Sequence, residues 1–99
     1  MSDWLGDAIR AAEAARSDFE AAESAWLDAG RDHRVAWHRN ARPILDEYDC
    51  ETGEYEPLSK EQLDELDALA AAEEAAHARR QAAHERWQRA ERILAGSGF

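Results

Sequence analysis

Glu74-Ala-Ala-His77 sets a carboxylate and an imidazole three residues apart, a spacing at which two metal ligands share one helix face. Two such halves from paired copies would supply the donors of a two-metal site, with Glu23 expected across from His77. Both residues, however, fall on the flank of the helix's apolar face and read as solvated surface. His84-Glu85-Arg86-Trp87-Gln88 opens like the zinc motif H-E-x-x-H but places glutamine where the second imidazole must stand. His33 and His38 are five residues apart and point to different helix faces. The only cysteine, Cys50, lies between Asp49 and Glu51, where neighbouring negative charge disfavours the thiolate that a nucleophile needs. A calcium loop with Gly53 at its sixth position would put Tyr48 first and Cys50 third, where oxygen ligands are required. The sequence therefore predicts no catalytic residue, no metal ligand set, no cofactor and no enzymatic activity.

What remains is charge. The stretch Asp46–Pro57, DEYDCETGEYEP, holds six carboxylates in twelve positions and no base. Net charge is −10 and unevenly spread: residues 1–45 carry eight acids and six arginines, residues 46–67 ten acids and one lysine, and residues 68–99 four acids and five arginines. Turn chemistry and the dipole of a following helix explain Glu61, Asp64 and Glu65. They do not explain Asp46, Glu47, Asp49 and Glu51, which follow the C-terminal end of a helix, where negative charge is unfavourable. We expect Asp46, Glu47, Asp49, Glu51, Glu54 and Glu56, with Tyr48 and Tyr55, to form a partner-binding tip that meets a basic protein surface. In size, acidity and lack of catalytic motifs the chain resembles the small acidic inhibitors of phages and plasmids, anti-CRISPR proteins among them. That resemblance implies an inhibitor whose tip occupies the nucleic-acid-binding surface of a larger protein. The alternative expectation is a structural or adaptor coiled coil that oligomerises through its helices.

Other partner classes fit less well. Arg79, Arg80, Arg86, Arg89 and Arg92 concentrate positive charge in the second half, but acids interleave and the total is strongly negative, so direct nucleic-acid binding is not expected. No run of residues is apolar enough to span a membrane, no signal peptide is evident, and one cysteine makes no internal disulfide. The expected setting is the cytoplasm. Arginine-for-lysine usage and abundant alanine suggest a GC-rich genome.

The elements that would position such a tip are two long helices in one domain spanning 1–99. Helix 1 is expected over about 3–42, capped by Ser2 or Asp3; the tip loop over about 46–58; and helix 2 over about 60–95. Ser59 with Gln62 forms a capping-box signature, and Gly96 supplies a stop. Along helix 1, Ala8, Ala15, Ala22, Ala29 and Ala36 recur every seven residues, and Leu5, Ala12, Phe19, Trp26 and His33 form a second heptad series beside them. Helix 2 offers Leu66, Leu69, Ala72, Ala76, Ala83, Trp87, Ala90 and Leu94. The heptad phase runs through Gly30, which predicts a continuous or bent helix there rather than a break. The fold class is thus all-α, an antiparallel helical hairpin with an alanine-rich seam similar to that of Rop-like hairpins, a likeness of packing alone. Hairpins exported by type VII secretion are similar in length but carry W-x-G in the turn; here it reads Glu51-Thr52-Gly53-Glu54-Tyr55.

Folding at the tip predicts partners whose numbers total roughly 100: Trp87 with Ala12, Phe19 with Arg80, Trp26 with Glu73, Trp37 with Leu63. A two-helix pair buries little, so Phe19, Trp26, Trp37, Leu66, Leu69 and Trp87 are expected to form a packing or oligomer seam. A homo-oligomer, a dimer of hairpins giving a four-helix assembly, follows from that expectation.

Overall fold

In the computed structural model, residues 3–40 and 57–96 are described, and they form two α-helices: α1 (Trp4–Asn40) and α2 (Lys60–Ala95). The fold is an all-α helical hairpin. Neither helix is long and apolar enough to cross a membrane.

Each helix begins on a side-chain cap. Asp3 Oδ1 accepts from the Gly6 amide at 3.1 Å, and the Asp3 carbonyl accepts from Asp7 at 2.9 Å. At α2 the capping box is complete: Ser59 Oγ accepts from the Gln62 amide at 3.1 Å, and Gln62 Oε1 accepts from the Ser59 amide at 2.9 Å. α2 ends with the Gly96 amide donating to the Arg92 carbonyl at 2.9 Å.

α1 runs unbroken through Gly30, which is buried. A Cβ there would lie 3.2 Å from Arg34 Nη1 and 3.6 Å from Glu73 Oε2, so the glycine faces α2 at a close approach. The tightest of these neighbours is the tip of a long, exposed side chain that can swing away. Gly30→Ala is therefore expected to stabilise the protein by about 0.5–1 kcal/mol through helix propensity, read as a higher midpoint in urea. A lower midpoint would mean that Glu73 cannot yield.

The helices pair in two compact units, one of Met1–Trp26 with Ala75–Phe99 and one of Leu27–Glu74. Among the described residues, those buried in the first unit are Ala12, Ala76 and Ala83, and in the second Gly30 and Ala36. Small side chains let helix backbones approach, and the bulkier residues of the second series fill the flanks. Phe19, Trp26 and Trp87 are half-buried in the first unit; Leu66 and Leu69 are half-buried in the second, where Trp37 is 40% exposed.

Two expectations about the seam change. Ala72 is exposed, and the half-buried position beside it belongs to Glu73, while half-buried Arg80 joins the seam one heptad later. The axial register is also displaced. In the first unit the expected pair Phe19 with Arg80 does meet, but partner numbers total 103 for Glu23 with Arg80 and for Trp26 with His77, and 106 for Phe19 with Trp87. In the second they total 106 for His33 with Glu73 and 102 for Asn40 with Gln62. A heptad period fixes which face of a helix turns inward, but it leaves sliding along the axis to the bulky and polar residues.

Candidate functional site

The predicted tip residues Asp46, Glu47, Tyr48, Asp49, Glu51, Glu54, Tyr55 and Glu56 lie outside the described residues. The acidic run continues into α2, where Glu61, Asp64 and Asp67 are exposed and have no ion-pair partner among the described residues. Glu65 is engaged: it pairs with Arg39 and accepts from Asn40 Nδ2 at 3.4 Å. Gln62 Nε2 donates to Asn40 Oδ1 at 3.3 Å, so a polar clamp ties the last turn of α1 to the first turns of α2.

The densest side-chain cluster lies in the first unit, around Arg80. Its guanidinium carbon sits 5.0 Å from the Trp26 ring centroid and 5.3 Å from that of Phe19. Arg80 Nε and Nη2 both donate to Glu23 Oε2, at 3.3 and 3.0 Å. A planar, weakly hydrated cation suits this position, because it stacks on aromatic faces while its edge keeps donating. The Arg80 and Glu23 side chains are 28% and 40% exposed, so water screens the ion pair and the stacking carries most of the local gain.

Aromatic rings extend the stack on both sides. His77 packs on Trp26 with centroids 5.4 Å apart, and His84 packs on Phe19 at 5.2 Å. Trp87 stacks on Phe19 at 5.4 Å, while its Nε1 donates to Glu91 Oε1 at 3.0 Å. His77 Nδ1 is buried and has no hydrogen-bond partner. Both imidazoles therefore act here as flat aromatic groups rather than as members of an acid–base pair. Glu74 is exposed, and Glu23, expected across from His77, is held by Arg80 instead. The displaced register thus separates the carboxylate and imidazole that a paired-metal reading would have joined, and no group of three His, Cys, Asp or Glu among the described residues could hold a metal ion.

Shallow grooves beside aromatic rings occur in each unit. One of about 370 Å³ is lined by His84, Trp87, Gln88, Glu91 and Arg92 in the first unit. A smaller one of about 130 Å³ lies in the second unit between His33, Arg34, Trp37 and His38. His33 Nδ1 stands 3.5 Å from Glu73 Oε2, whereas His38 is exposed and meets Trp37 edge-on at 5.4 Å. Neither groove combines a nucleophile with a base.

Large apolar side chains are left at the surface. Trp4, Leu5, Ile9 and Ile93 in the first unit, and Leu27, Val35, Trp37 and Leu63 in the second, are 38–59% exposed. No large side chain among the described residues is fully buried. The sequence named Trp37 and paired Arg80 with Phe19, a contact the structure contains; what it missed is Trp26 as the second ring and Glu23 as the carboxylate that Arg80 holds. No family model, curated protein or solved structure matches the chain.

Proposed function

We propose that this chain is a non-enzymatic protein-binding module. The observation that carries the reading is the mismatch between interior and surface: among the described residues those buried are alanine and glycine, while eight large apolar side chains stay substantially exposed. Such a surface suits a macromolecular partner better than a small substrate. Charge sets the partner's chemistry. With ten acids against one lysine over residues 46–67, the favoured partner presents arginines and lysines, such as a surface that otherwise holds nucleic-acid phosphates. On this reading the chain acts as a small inhibitor by occupancy, of the phage or plasmid anti-defence kind. The exposed helix-borne tryptophan and aliphatic residues favour a second reading, a structural or adaptor coiled coil.

Capture from host lysate at low salt and at ~0.5 M salt separates the two. The inhibitor reading expects a nucleic-acid-handling protein that is retained only at low salt. It expects that capture to be lost when Asp46, Glu47, Asp49, Glu51, Glu54 and Glu56 are all changed to their amides, with helicity by circular dichroism unchanged. Capture that persists in the amide variant and at high salt would move the interface onto the helices.

A further inference from the structure

In the second unit, the pairing of α1 with α2 leaves one side unlike the other. A helix turns by about 100° per residue, so a residue that follows a seam position lies on one flank of that helix. In an antiparallel pair, these flanks of the two helices fall on the same side. On α1 the flank holds Arg34 after His33 and Trp37 after Ala36, and His38 joins them in the groove they line. On α2 it holds Leu63 after Gln62, Asp67 after Leu66, Ala70 after Leu69 and Glu74 after Glu73. All of these flank residues are exposed, the large apolar Trp37 and Leu63 included. Arg34, His38, Asp67 and Glu74 carry no ion pair among the described residues. This side is therefore cationic and aromatic along α1, and anionic and aliphatic along α2.

We propose that this side of the second unit pairs with the same side of a second copy of the chain, about a two-fold axis parallel to the helices. Charge selects both the occupant and the axis. A uniformly basic partner would be repelled by Arg34 and His38, and a uniformly acidic one by Asp67 and Glu74. The partner must carry both signs in adjacent rows, and a second copy does. The parallel axis lays α1 of each copy over α2 of the other, whereas a perpendicular axis would lay cation over cation. It also fixes the height of every contact, because rotation about that axis moves nothing along the helices. His33 is level with Glu73 and Asn40 with Gln62, so Arg34 of one copy stands near Ala70 of the other, with Asp67 and Glu74 one turn to either side. Trp37 of one copy then meets Leu63 and Leu66 of the other, which removes from water apolar surface that the unit alone leaves exposed. The inference rests on the protein-binding reading and names a second copy as one partner.

Sedimentation velocity over a concentration series tests it. The net charge of −10 makes two copies repel at long range, so the series is run at ~0.15 M salt, which screens charges beyond about 8 Å. Arg34→Glu should weaken self-association by about tenfold or more, since it sets like charges together at two equivalent contacts. Adding Asp67→Arg and Glu74→Arg to it should recover association to within about threefold of the parent, because the pairs return with their signs exchanged. In a Cys50→Ser background, an equimolar mixture of Arg34→Cys and Ala70→Cys chains should oxidise to a mixed disulfide dimer. Either chain alone should not cross-link, nor should Arg34→Cys mixed with Ala72→Cys, which lies on the opposite flank. A chain that stays monomeric at full helicity overturns the proposal. So does a triple variant no better than Arg34→Glu, or an Arg34→Cys chain that cross-links to itself as readily as to Ala70→Cys. A monomeric chain that still captures a basic protein at low salt overturns only the second copy and leaves the protein-binding reading standing.

Discussion

Trp26→Ala is expected to destabilise the protein by about 2–4 kcal/mol, below the largest values for tryptophan because the side chain is half-buried. Trp26 covers the Arg80 guanidinium at 5.0 Å and the His77 ring at 5.4 Å. Its removal opens a cavity beside both and leaves Arg80 with Phe19 and the screened Glu23 carboxylate alone. The loss sums apolar area, one cation–π contact and one ring stack. Chemical denaturation with matched m-values would measure it. Trp4→Ala is the control: Trp4 is 49% exposed with no ring or cation contact among the described residues, and its removal should fall within about 0.5 kcal/mol. If Trp26→Ala were as mild as Trp4→Ala, the Arg80 stack would not be what holds the first unit together.

Ala83→Leu probes the opposite limit. Ala83 is 1% exposed, the most enclosed of the buried alanines, and a leucine there has no void to enter. Overpacking must either push the helices apart or force strained rotamers, at about 1–3 kcal/mol. Because the seam is built from small residues, separating the helices also weakens the Arg80 contacts one turn away, so the upper end of that range is expected. Ala82→Leu is one residue away on the exposed face and should leave the unfolding free energy within about 0.5 kcal/mol. Equal destabilisation by the two leucines would contradict the seam as described.

Helix identity, helix ends and inward faces were legible from residue types alone, because each rests on short-range physics. Asp3 and the Ser59–Gln62 box start helices through bonds spanning three residues, and the second helix ends just before Gly96, a poor helix former. Seven-residue spacing of alanine selects a face without reference to any partner. Gly30 needed the partner helix to be understood: its sequence context shows only a propensity defect, whereas the approach of Glu73 gives the defect a role. The acidic tip was fully legible as charge.

What the sequence by itself determined is a pair of capped, amphipathic, alanine-faced helices with a polarised charge distribution. What only the tertiary structure decided is the offset between those helices, and with it most of the specific contacts; Arg80 on Phe19 is the one the sequence had paired. Seven-fold periodicity is unchanged by sliding one helix along the other, so it could not choose between Glu23 facing His77 and Glu23 facing Arg80. The choice falls to the few residues that are not alanine: Arg80 takes the space between Phe19 and Trp26 and the carboxylate of Glu23. Glu73, four residues after Leu69 and three before Ala76, takes the seam position that the sequence reading had given to Ala72, which is exposed.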